Sequence, residues 1–194
     1  MQKFIILIVL LILLSILSIF TYELVLDVKK TDLSFAVFNF KINYIFIVIP
    51  INILSRVFIV STILSIYFIL NNINLSYLQL LKISKKAEYI YIFPIFYEIF
   101  YFKFIEIKYD LNDLNDFRAL SLSNYFDSNI DLYLKYPLTF LNLFDLLHIV
   151  LLSFFISKII KTNFTKGLKV VAFSYIPALF IWIVLVMFFT LNYS

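Results

Sequence analysis

The sequence predicts an all-α fold, an integral membrane helical bundle with about five transmembrane helices in a single domain over residues 1–194. Three observations carry this. The chain is 63% hydrophobic and 14% charged, where soluble domains run near half apolar and about a quarter charged. A chain of 194 residues has too much surface to turn that much Ile, Leu and Phe inward, so lipid must solvate part of it. Finally, Tyr136 to Met187 reads as two apolar runs around a short linker that carries Lys158, Lys161, Lys166 and Lys169 and no acid. A hydrophobic hairpin with a positive turn is a membrane feature.

The spans follow in order. The first span, 4–22, is an apolar run behind Lys3 whose only polar breaks up to Phe20 are Ser15 and Ser18. No small-x-small cleavage pattern precedes Tyr22 and Glu23, so the run is expected to remain as an uncleaved anchor. The second span, 44–70, is longer than a bilayer requires, with Pro50 expected in the first turn of its helix, where a missing N–H is tolerated. Ser76 and Gln79 make a capping-box pattern ahead of Leu78, Leu81, Lys82, Lys85 and Lys86. That pattern predicts a short helix on the membrane surface with its lysines toward headgroups. The remaining spans are 89–105, 138–156 and 168–189, the last carrying Pro177 as an expected kink.

Composition also excludes chemistry. Without Cys there is no disulfide, no thiolate and no Cys-ligated metal. A single Gly, Gly167, rules out glycine-rich nucleotide loops, and no nucleophile elbow or zinc-protease pattern is present. It also leaves little prospect of close helix packing through small residues. The net charge of +4 lies in short segments beside apolar runs, so the lipid bilayer, and other membrane proteins within it, are the expected partners rather than nucleic acid. No cofactor is expected. The run DLNDLND, Asp110 to Asp116, lacks the glycine of a calcium loop and has Ser121 at the twelfth position; a turn with its acids in water is the plainer reading. Asn-x-Ser/Thr patterns at Asn74, Asn163 and Asn192 are chance in an Asn-rich chain.

Charges inside a membrane are costly and therefore mark candidate sites. The candidates here are Arg56, Glu98 and Asp145, with the lone His148. Counting about 1.5 Å per residue, Arg56 lies roughly 9 Å below Pro50, Glu98 roughly 10 Å from Ile105, and Asp145 roughly 10 Å from Leu138. Charges on separate helices thus share one level, and Arg56 is expected to pair with Glu98, Asp145 or both. The pairing can simply register the helices, or it can serve an ion or proton. Asp145 and His148, three apart, share a helix face, a spacing that suits a hydrogen-bonded pair better than a metal, for which Glu98 is the only third ligand in prospect.

Four stretches carry a resemblance. AEYIYIFPIFYEIFYF from Ala87, FRALSLSN from Phe117, YPLTFLNLFDL from Tyr136 and FTKGLKVVAFSYIPALFIW from Phe164 resemble the bacterial branch of the Yip family, over roughly residues 70 to 190. These are polytopic membrane proteins named for eukaryotic relatives that interact with Rab GTPases. The resemblance implies a multi-span helical fold with no known catalytic residues, hence no enzyme. A bacterial chain has no Rab partner, so the trafficking role is not carried over. Two functions follow: a structural or interaction protein in membrane organisation, or a small transporter or permease subunit using the charged layer.

Orientation rests on Lys and Arg in short loops. With the N-terminus inside, Lys3, Lys82, Lys85, Lys86, Lys158, Lys161, Lys166 and Lys169 lie inside. Lys29, Lys30, Lys41, Lys103, Lys108, Arg118 and Lys135 then lie outside. The counts nearly tie, but the inner group is denser and sits in the shorter loops, where the rule acts most strongly. The chain is therefore expected to run N-in and C-out in a bacterial inner membrane, with Lys82, Lys85, Lys86, Lys158, Lys161, Lys166 and Lys169 at lipid headgroups. Reporter fusions at Ser194 check this: alkaline phosphatase is expected active and green fluorescent protein dark. The reverse pattern places the C-terminus inside.

Overall fold

The computed structural model of the protein describes residues 35–105, 117–126 and 131–193. Among them the structure is all-α, with no strand; the expected span 4–22 and the Asp110–Asp116 run lie outside the described residues. The helices are α1 (Phe35–Leu70), α2 (Tyr77–Glu88), α3 (Ile92–Phe104), α4 (Leu132–Phe140), α5 (Leu143–Ile159) and α6 (Phe164–Tyr193), with 3₁₀ turns at Tyr89–Tyr91 and Leu122–Tyr125. Two compact units are present, one of Met1–Arg56 with Ile95–Ile107, the other of Val57–Pro94 with Lys108–Ser194.

Several boundaries differ from the sequence reading, each for a local reason. Helix α1 starts at Phe35, so Pro50 lies deep inside a continuous helix rather than in its first turn. The segment expected at 89–105 opens with a 3₁₀ turn and leaves α3 only 13 residues, about 20 Å of helix against a hydrocarbon core of about 30 Å. The 138–156 segment is divided between α4 and α5 at Leu141–Asn142. Among the described residues, two helices are long and apolar enough to cross a membrane, Ile51–Leu70 within α1 and Phe164–Asn192 within α6.

The break between α4 and α5 would strand backbone groups, and the segment around Ser121 satisfies them. Leu122 N donates to Leu141 O at 3.0 Å and Leu143 N to Leu120 O at 3.2 Å. The hydroxyl of Ser121, fully buried, donates to Leu138 O at 2.9 Å. Buried backbone groups must be paired somewhere, so a kinked junction here requires the docked segment.

Helix ends in the second unit are closed without glycine. Asn72 (φ 55°) and Lys161 (φ 51°) take the left-handed conformation. At the first, Ile73 N reaches Phe68 O at 2.9 Å and Asn72 N reaches Ile69 O at 3.1 Å; at the second, Thr162 N reaches Ser157 O at 2.9 Å and Lys161 N reaches Lys158 O at 3.4 Å. These are Schellman closures, which usually employ Gly. Asn163 then caps α6, accepting from Lys166 N at 3.2 Å. The Asn-x-Thr pattern at Asn163 thus has a structural use.

The core of this unit joins one face of each of four helices. Val60, Leu64 and Phe68 of α1 meet Leu80, Ile83 and Ala87 of α2, Leu152 and Ile156 of α5, and Val170, Val171 and Tyr175 of α6. On α2 the buried positions Leu80, Ile83, Ser84, Ala87 and Glu88 follow helical spacing. Gln79 Oε1 accepts from Ser76 N at 3.0 Å, forming the Gln side of the expected capping box. The sequence placed this helix on the membrane surface; its apolar face instead packs on protein, with Lys82 and Lys86 exposed and Lys85 half-buried. Small hydroxyl residues thread the interfaces. Ser61 Oγ donates to Ser84 Oγ at 3.0 Å between α1 and α2, and buried Ser153 and Ser157 face α6.

Gly167 is the close point of the α5–α6 hairpin. A Cβ there would stand 2.2 Å from Ser153 O and 2.9 Å from Ser157 Cβ, distances no side chain tolerates. The one glycine of the chain therefore supplies the small-residue packing that its rarity seemed to deny. In an ordinary helical position Gly→Ala stabilises by about 0.5–1 kcal/mol. For Gly167→Ala the sign is expected to reverse, with a loss of about 1–3 kcal/mol from overpacking, read as a lower midpoint of thermal unfolding in detergent; an unchanged or raised midpoint contradicts the close approach.

Candidate functional site

The site grows from the N-terminus of α5. Asn142 is its N-cap and accepts from Asp145 N at 2.8 Å, while Asn142 Nδ2 donates back to Asp145 Oδ2. Asp145 is therefore the third helical residue of α5, and its carboxylate sits where the helix dipole favours negative charge. The depth counted from Leu138 does not apply, because Leu138 belongs to α4. The other carboxylate oxygen, Asp145 Oδ1, accepts from the hydroxyl of Tyr91. Tyr91 ends the 3₁₀ turn that follows α2, so this bond ties the two elements together.

One turn further along α5, His148 is fully buried. Its Nε2 lies 3.4 Å from Glu88 Oε2, and Glu88 is itself 5% exposed. The imidazole packs between two phenol rings, with centroids 5.3 Å from Tyr91 and 5.5 Å from Tyr175 of α6. Among the described residues His148 Nδ1 has no hydrogen-bond partner. Contacts Glu88–His148, Tyr91–Asp145 and Lys86–Phe155 run in opposite senses along the two helices, so α2 is antiparallel to α5.

Asp145 and His148 share a face, as their spacing predicts, but the hydrogen bond expected between them does not form: neither imidazole nitrogen has a hydrogen-bond partner among the described residues, while Asp145 bonds to Asn142 and Tyr91. Arg56 and Glu98, each half-buried, belong to the other compact unit. Sequence reasoning missed Glu88 and Tyr91. The signal for Glu88 was present: it continues the buried series Leu80, Ile83, Ser84, Ala87 at the i+8 position. For Tyr91 no pattern exists, since a 3₁₀ turn carries no long periodicity. Among the described residues no three His, Asp or Glu side chains gather in a metal-ligating group.

Six of the seven lysines expected at headgroups, Lys82, Lys86, Lys158, Lys161, Lys166 and Lys169, are exposed. Lys158 Nζ stands 4.3 Å over the ring of Phe154 and Lys86 Nζ 5.8 Å over that of Phe155, within cation–π range. The hairpin turn and the antiparallel α2 gather these lysines toward one end of the second unit, and its residues 57–87 and 149–193 contain no acid. Comparison with protein-family models, curated proteins and solved structures returns no match to this chain.

The cap joins Asn142 to Asp145 from both directions. Asn142→Ala is expected to cost about 1 kcal/mol, equivalent to roughly 2–4 °C in the unfolding midpoint of a chain this size. Asn142→Asp keeps an oxygen for the Asp145 amide but sets two carboxylates together, so it is expected to restore little of that loss at neutral pH. Circular dichroism melts of the variants in detergent check both.

Proposed function

We propose that the protein is a multi-pass helical protein of the bacterial inner membrane, acting as a structural or interaction protein in membrane organisation rather than as an enzyme. One observation carries the membrane reading. The apolar windows in α1 and α6 are only 28% and 22% buried, so helices rich in Ile, Phe and Val turn most of their surface outward. Phe58, Ile59, Ile66 and Ile69 of α1 and Phe173, Phe180, Ile181 and Trp182 of α6 are all more than half exposed. Soluble monomers rarely expose contiguous apolar patches beyond a few hundred Å², and a soluble core helix would be buried. In lipid the same surfaces need no protein cover.

On this reading α1 and α6 cross the bilayer, and α5, at 17 residues, is at the short limit of about 17–25 residues for a span. Residues 89–105 and 4–22 complete about five crossings. The lysine-rich end meets anionic headgroups, where each Lys contributes about 1 kcal/mol. The resemblance to the bacterial Yip branch agrees with an all-α membrane fold and supplies the structural role.

A second reading, a small transporter or permease subunit, is favoured by the ionisable groups: the buried Glu88–His148 contact together with Arg56, Glu98 and Asp145. Intramembrane ionisable residues commonly mark ion or proton paths.

Alkaline carbonate extraction of membranes tests the first claim. The protein is expected to stay in the pellet, and release to the supernatant removes the membrane reading. Arg56→Ala, Glu98→Ala and Asp145→Ala then separate the two functions. Variants that are degraded show charges that hold helices in register; variants that accumulate normally yet abolish a cellular phenotype favour transport.

A further inference from the structure

We propose, building on the membrane reading above, that Lys86 of α2 and Lys158 of α5 form a binding site for a phospholipid carrying two phosphate groups, of the cardiolipin class. General attraction to anionic headgroups needs only a net positive end. The arrangement here is more specific.

Two ammonium groups from different helices are held over neighbouring rings. Phe154 and Phe155 stand side by side on α5, with centroids 5.6 Å apart. Lys158 Nζ lies 4.3 Å from the first centroid and Lys86 Nζ 5.8 Å from the second. The ring faces hold each ammonium in position but leave its charge in place, and each keeps N–H donors for phosphate oxygens. Like charges brought together repel, and a neighbouring acid would offset them. Residues 57–87 and 149–193 contain no Asp or Glu, and Glu88, just beyond Lys86, is buried against His148. Among the described residues no carboxylate pairs with Lys82, Lys86, Lys158, Lys161, Lys166 or Lys169. The counter-charge is left to an anion from outside the chain.

Apolar surface beside the lysines favours a lipid over a soluble anion. Phe154, Phe164 and Leu168 are exposed close in sequence to Lys158, Lys166 and Lys169, and Phe173 continues the apolar surface along α6. A lipid with its phosphates at the ammonium groups and its acyl chains along these side chains covers both kinds of surface. A free phosphate covers the charge alone. Two phosphates match two ammonium groups, and their linkage in one molecule makes the second contact intramolecular.

Native mass spectrometry of the full-length protein, released from detergent micelles, reads the first bound lipid. Cardiolipin is expected to bind about fivefold or more tighter than phosphatidylglycerol, with phosphatidylcholine weakest, since each lysine near a lipid phosphate acts on that scale. Lys86→Gln and Lys158→Gln are each expected to weaken the first cardiolipin by about fivefold, and Lys158→Arg to retain it because the charge stays. Lys135→Gln is the remote control. Its neighbour Tyr136 bonds to Trp182 of α6, roughly 24 Å along that helix from Lys166, so cardiolipin binding is expected to be unchanged. Equal affinity for the three lipids overturns the proposal, as does an equal loss in Lys135→Gln, the mark of diffuse attraction. Displacement of cardiolipin by an equal concentration of inorganic pyrophosphate overturns it too, because recognition then lies in phosphate alone. Carbonate extraction of the source membranes keeps the two claims apart. A protein that stays in the pellet but shows no lipid preference loses only this site; release to the supernatant removes the membrane reading and the site with it.

Discussion

A close approach of two backbones, at Gly167, sets the geometry on which the second unit depends. Because α6 carries no side chain there, it presses directly onto Ser153 and Ser157 of α5. Eight residues later along α6, two helical turns, Tyr175 arrives against His148. A wider hairpin would leave the imidazole without that cover. The same α5 surface then receives α2, with Leu80, Ile83 and Ala87 in a shared core and Glu88 at its end.

On the proposed membrane reading, packing of this kind differs from an ordinary hydrophobic core. Between helices solvated by lipid there is little hydrophobic gain from association, so close fit and interhelical hydrogen bonds carry more of the stability. The buried Ser61–Ser84 bond and the serines beside Gly167 fit that regime, as does the outward apolar surface of α1 and α6. A chain almost without Gly meets the remaining demands with other residues: Asn72 and Lys161 take left-handed backbone at helix ends, and Asn142 and Asn163 cap the helices that follow. The Asn-rich composition is thus put to use at the punctuation points of the fold.

The polar site follows from the same architecture. A helix N-terminus favours a carboxylate, and the break before α5 provides one within the unit, occupied by Asp145. The next turn of α5 faces inward and carries His148, so the imidazole is buried by position. Antiparallel α2 brings Glu88 to it, and the 3₁₀ turn that ends α2 brings Tyr91 to Asp145.

Much of this was legible in the sequence. The all-helical class, the apolar runs of α1 and α6, the Ser76–Gln79 cap and the shared face of Asp145 and His148 come from composition and from periods close to 3.6 residues, which are local properties of the chain. The division of 138–156 into α4 and α5 was not legible, because an apolar run looks the same with or without a break. Only the docked backbone around Ser121 makes that break tolerable. The partner of His148 was hidden for a related reason: pairing between residues 88 and 148 depends on how α2 crosses α5, and no local spacing encodes it. Sequence alone determined the helical class and which stretches are apolar; tertiary structure decided where the helices break and which buried polar groups meet, because only packing satisfies a broken backbone and brings distant helix faces within bonding distance.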